Sequence, residues 1–114
     1  MNYFKPEEVD GLMPELVDKL NSARHVAGIP FIITSGKRSP ESNSVLKGAV
    51  ADSSHISGTG VDLHVGNNHD FYLMLFALRQ AGFRRFGVYL NADCSDVIHI
   101  HVDIDTEKPQ DTIW

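Results

Sequence analysis

Cysteine is nearly missing from these 114 residues: Cys94 stands alone, which excludes an intramolecular disulfide and leaves no C-x-x-C pair to bind a metal through sulfur. A metal site in this chain must therefore be built from histidines and carboxylates. Basic residues are also short, ten Lys and Arg against fifteen Asp and Glu, for a formal net charge of −5 at pH 7. A sequence-independent nucleic-acid binder is not expected, because neutralising phosphates requires a basic face. No stretch approaches the roughly 20 apolar residues of a membrane span. The opening Met1 to Glu8 lacks a basic region followed by an apolar run, so the expectation is a protein made in the cytoplasm without a signal peptide. There is no repeat, low-complexity block or Gly/Ser linker. What is present is 42% hydrophobic residues, enough at this length for one core without staples. A single domain over residues 1–114 is expected, with nothing that demands more than a monomer.

The pattern alternates apolar segments with turn residues. Pro14 opens a helix running to about Ala27, with Leu16, Leu20, Ala23 and Ala27 on one face and Gly28 as its stop. Residues 30–34 read as a buried strand that empties into a polar loop, and a short helix is predicted from Pro40 to Leu46. The run from Gly60 to Val65 alternates strictly, which places Asp62 and His64 opposite Val61, Leu63 and Val65. Asp70 is the expected cap of an apolar helix from Phe71 to Ala81, with Phe71, Leu73, Leu75 and Phe76 as core residues, and Phe83 to Leu90 reads as another strand. In the last strand Ile98, Ile100, Val102 and Ile104 alternate with His99, His101, Asp103 and Asp105. The expected class is α+β, a mostly antiparallel sheet with helices packed on it.

That last strand carries the main functional clue. Its second face holds two imidazoles and two carboxylates, costly to bury and without purpose if merely solvated. Six histidines occur in the chain, and His55, His64, His99 and His101 lie in or beside two strands that also carry Asp62 and Asp103. Two His and one Asp suffice for a catalytic zinc, which takes three protein ligands and keeps one position for water. A His-x-His pair alone is weak, since alternate positions on any strand share a face.

The wider context is specific. Ser53, His55, Gly58 and Asp62 spell S-x-H-x-x-G-x-x-x-D, and Ile100-His101-Val102-Asp103 follows on the late strand. In these two motifs, and in the segment from Thr34 to Asn43, the chain resembles the zinc D-alanyl-D-alanine carboxypeptidase family, with phage L-alanyl-D-glutamate endolysins, D-Ala-D-Ala dipeptidases and the hedgehog signalling domain as relatives. The resemblance covers roughly Phe31 to Ile104. It implies a hedgehog/DD-peptidase-like fold and one zinc ion (Zn2+) held by His55, Asp62 and His101. It also implies an anionic peptidoglycan stem peptide as substrate, with Arg38 gripping its carboxylate. Ser53 either binds substrate or holds the loop by a backbone hydrogen bond. Asp103 is expected to accept a hydrogen bond from a ligand imidazole and fix its tautomer.

Relatives tend to carry an acid three residues before the last zinc histidine. That position is Ile98 here, so Asp96 is assigned as the base, and His99 as the extra histidine some relatives use near the transition state. Gly58 and Gly60 are read as letting the backbone turn between His55 and Asp62. His64 lines the site or is solvated, His25 and His69 are helix-end residues, and Cys94 is a spectator thiol. Trp114 either anchors the tail or faces a ligand, and the sequence leaves both open. The implied activity is a zinc metallopeptidase cutting a peptidoglycan amide bond, as a carboxypeptidase or as an endolysin-type endopeptidase. Acting at the cell wall would then require release by a partner, as for a phage enzyme, or another export route. The alternative is a zinc-stabilised binding or structural module that has lost catalysis.

Overall fold

The computed structural model describes residues 3–35 and 58–114. The predicted helix at Pro40 to Leu46 lies outside them, as do Arg38, Ser53 and His55. Helix α1 spans Pro14–Ala27, opening on Pro14 and closing at Gly28, whose N–H bonds back to the Arg24 carbonyl. Its predicted stripe is its buried face: Leu16, Leu20 and Ala23 are fully buried, and Ala27 packs at the margin of the core. Helix α2 covers Asn68–Gln80. Its cap is Asn67, whose side-chain oxygen accepts from the Asp70 amide at 2.8 Å, so Asp70 sits inside the first turn instead of capping it. The buried residues are Met74, Ala77 and Leu78, with Phe71 and Leu75 packed beside them. Phe76, expected in the core, is 55% exposed. At 100° per residue it lies with Tyr72 on the side opposite Met74.

Strands β1 (Ile33–Ser35), β2 (Gly60–His64), β3 (Arg85–Leu90), β4 (Val97–Asp103) and β5 (Thr112–Ile113) form one sheet in the order β1-β2-β4-β3-β5. The first three pairings are antiparallel, as expected, and β5 runs parallel to β3 at the edge. Helices α1 and α2 pack together, and the core they share with the sheet includes Val61, Leu63, Phe86, Ile100 and Val102. Ile98 departs from its predicted core position and is exposed. Tyr89 pairs with His99 but Leu90 pairs with Val97, so β4 carries one extra residue there. In this bulge Val97 packs against the core in place of Ile98.

Candidate active site

Period-two alternation and antiparallel register together assemble the polar face. Residues directly opposite in neighbouring strands point to the same side of a sheet. The register pairs Gly60 with Asp103 and Arg85, Asp62 with His101 and Gly87, and His64 with His99 and Tyr89. Three rows result across β2, β4 and β3, with an Asp or a His at the centre of each. Among the described residues the helices pack on the opposite face.

The central row is joined to the first by continuous hydrogen bonds. His101 Nε2 lies 2.8 Å from Asp103 Oδ2, and Nδ1 lies 3.0 Å from Asp62 Oδ1. Asp103 Oδ1 accepts from Arg85 Nε at 2.7 Å, and the Arg85 guanidinium also donates to the Pro109 carbonyl. His101, Asp103 and Arg85 are buried, whereas the Asp62 side chain is 21% exposed. An ionised carboxylate can only accept, so Nε2 carries a proton toward Asp103. Nδ1 then faces a second acceptor, and two lone pairs 3.0 Å apart repel unless a proton or a cation lies between them.

Protonation satisfies this contact when no metal is bound. Burial by itself pushes the His101 pKa down, but the hydrogen bonds to Asp103 and Asp62 and the attraction of both carboxylates outweigh it and hold the pKa above the ordinary imidazole value. Burial likewise works to raise the Asp103 pKa. The hydrogen bond and charge of His101, the Asp105 amide and Arg85 overcome it and hold that carboxyl below its usual range. A lowered carboxyl stabilises the fold above its unfolded pKa and loses that contribution as pH falls, and a raised imidazole does so below its unfolded pKa and loses it as pH rises. In chelator, melting temperature is therefore expected to peak between about pH 4 and pH 6.5, falling on either side. Circular dichroism melts across that range check this, and stability still climbing above pH 7 would contradict the imidazolium.

A cation satisfies the same contact. Zinc–donor bonds of about 2.0–2.2 Å allow two donors at this separation to share one ion, so Asp62 and His101 fit a zinc. Among the described residues no group of three His, Cys, Asp or Glu side chains is gathered for a metal. His55, the third ligand expected from the sequence, lies outside them.

The remaining candidates separate. His99 is two residues from His101 on the same face, edge-on to Tyr89 with ring centroids 5.9 Å apart, and its buried Nδ1 has no hydrogen-bond partner among the described residues. Asp96 is exposed in the Asn91–Asp96 turn, where Ser95 Oγ donates to it at 3.2 Å. His64 is exposed at the end of β2, and Cys94 is exposed in the turn. His25 bonds to the Tyr3 hydroxyl at the end of α1, and His69 lies in the first turn of α2. Of the two expected turn glycines, Gly58 has φ +77°, while Gly60 already belongs to β2.

The sequence assigns no role to two residues here: Arg85 is a local basic spot in a predicted strand, and Trp114 is left between two roles. The one available signal was an arginine and a glycine, Arg85 and Gly87, at alternate positions where an inward face needs apolar residues.

The sheet of this protein has known counterparts. It resembles the L-Ala D-Glu endopeptidase ChiX of Serratia marcescens with a TM-score of 0.60, at 19% identity over 90% of this chain and 88% of that one. No curated protein matches the chain. The sequence pattern of the Peptidase M15 family matches residues 3–103, a span that runs from the N-terminal segment through the whole Asp62–His101–Asp103 cluster. With nearly its full length inside that pattern, the chain belongs to the peptidase M15 family.

Proposed function

We propose that this protein is a zinc-dependent peptidase that hydrolyses an amide bond in peptidoglycan stem peptides. The observation that carries the reading is the 3.0 Å contact between His101 Nδ1 and Asp62 Oδ1, two potential metal-donor atoms facing one another, with His101 held from behind by Asp103. Membership of a peptidase family supports it, and the endopeptidase fold of the Serratia protein is consistent with it. His55, Asp62 and His101 are the residues we put forward to hold the metal. A bound zinc would supply Lewis acidity, lowering the pKa of a water and polarising the scissile carbonyl.

The chain's own residues supply the rest. Asp103 accepts a hydrogen bond from the Nε2–H of His101 and so leaves Nδ1 as the donor toward the metal. His99, on the same face as His101, is the group we favour for moving a proton to the leaving amine. Asp96, the base assigned from the sequence, stands in the exposed turn that leads into β4 and is the other candidate for that proton. Arg38 and Ser53 are proposed to hold the substrate. No helix among the described residues is long and apolar enough to cross a membrane.

The second reading, a zinc-stabilised binding module, draws on Ile98 at the position where relatives tend to carry an acid. Mass spectrometry of peptidoglycan fragments, with zinc and with chelator, separates the two. Chelator-sensitive products establish the peptidase, and their masses distinguish loss of terminal D-Ala from cleavage within the stem. Absence of products across several peptidoglycan types selects the module.

His101→Ala and Asp62→Asn are expected to abolish stoichiometric zinc by elemental analysis. Zinc at 100 times its Kd should raise the stability of the unaltered chain by about 2.7 kcal/mol and leave both variants unmoved. Zinc should also reverse the loss of stability above pH 6.5, because a ligand imidazole must be unprotonated. Unchanged zinc content in both variants would refute the ligand set.

A further inference from the structure

Gly87 stands in the middle of β3, where a strand is weakened by having no side chain to pack. The reason for it here is a close approach. A Cβ at Gly87 would lie 2.9 and 3.0 Å from Nε1 and Cε2 of the Trp114 indole and 3.1 Å from the His101 Cβ. The indole thus occupies the side-chain space that Gly87 leaves open in the row Asp62–His101–Gly87. The backbone puts it there. β5 pairs with β3 through Arg85–Thr112 and Phe86–Ile113, the Trp114 amide donates to the Phe86 carbonyl at 2.9 Å, and the Val88 amide donates to the Trp114 carbonyl at 2.8 Å. The ring rests on the Arg85 guanidinium, 4.9 Å from its centroid, and stands 5.7 Å from the His101 imidazole. Held on these sides, it is still 48% exposed.

We propose that Trp114 is the aromatic wall of the substrate cleft, contacting an aliphatic part of the peptide within one residue of the scissile amide. The inference rests on the peptidase reading above. Reach supports it: a peptide residue spans about 3.3–3.6 Å, so a carbonyl placed at Asp62 and His101 brings the flanking residue to the indole. Chemistry selects the ligand part. The indole offers a broad apolar surface among carboxylates and imidazoles. Arg85 already sets a positive charge against the ring, which disfavours a second cation there and leaves aliphatic C–H groups as the matching partner.

Trp114 is the sole tryptophan in the sequence, so its emission reports the site directly. In zinc-loaded protein, adding L-Ala-D-Glu or D-Ala-D-Ala dipeptide is expected to shift that emission to the blue, and an unmoved spectrum with both overturns the proposal. In peptide hydrolysis Trp114→Ala should raise KM about tenfold with kcat little changed, the scale of a lost small apolar contact, and Trp114→Phe should recover most of it. Zinc affinity, measured by competition with a chromophoric chelator, should be unchanged in Trp114→Ala. A fall in zinc affinity with KM unchanged would make the ring a structural cover for Arg85 and sink the proposal. If the unaltered protein cleaves nothing, the peptidase reading fails by itself, and the emission titration still decides whether Trp114 meets a peptide.

Discussion

Arg85→Gln is expected to destabilise the metal-free protein by about 3–5 kcal/mol, the scale for leaving one member of a buried ion pair without its partner. Asp103 is 2% exposed and Arg85 8%. The Asp103 carboxylate now has the Arg85 Nε, the Asp105 amide and the His101 imidazole on its two oxygens. Removing the guanidinium takes away its permanent positive charge, strips the Pro109 carbonyl of a donor and removes the support beneath Trp114. Lysine cannot substitute, because a single ammonium does not span Asp103 and Pro109 as the planar fork does. Urea denaturation in chelator at neutral pH measures the effect. Adding Asp103→Asn to Arg85→Gln should return part of the loss, since no charge is then stranded. A shift below about 1 kcal/mol for Arg85→Gln would mean that desolvation cancels nearly all of the pair's attraction.

Gly58→Ala is expected to lower stability by about 2–5 kcal/mol, from a left-handed backbone and an overpacked contact acting together. Gly58 has φ +77°, and a Cβ there would run into the Gly11 carbonyl oxygen. The neighbour is backbone and cannot swing aside. Phe4 and Leu12 are buried in the core on either side of Gly11, and the Met13 amide donates to the Gly58 carbonyl at 2.9 Å. The N-terminal segment and the chain entering β2 are therefore clamped back to back at this glycine. Because Gly58 lies between His55 and Asp62 in the chain, zinc affinity should fall with stability. Thermal melts and zinc competition check both, and a melting temperature within about 1 °C of the unaltered protein would exclude the clamp, since 1 kcal/mol moves a domain of this size by several degrees.

Much of this was legible before any coordinates, and the residues show why. The helix Pro14–Ala27 was readable to its ends because Pro14, the apolar stripe and Gly28 are all local signals. The polar face of β4 was readable because alternation decides which side chains share a side. Local signals misled where two of them competed. Asn67 and Asp70 are both capping residues, and the upstream one accepts the amide of the other. Phe76 is apolar, yet the phase of α2 turns it outward with Tyr72. Ile98 kept the alternation in sequence and lost it to a bulge, which is a property of pairing with β3 and not of β4 alone.

The sequence by itself determined that Asp62, His101 and Asp103 lie on polar strand faces. Register decided the rest. Setting Asp62 opposite His101, and Arg85 opposite Asp103, depends on pairing residues 39 and 18 positions apart, which no periodicity within one strand can specify. The tertiary structure likewise decided the roles of Arg85 and Trp114. A buried arginine is tolerable only where a carboxylate meets it, and an indole beside His101 fits only because β5 pairs with β3 above the one position there that lacks a side chain.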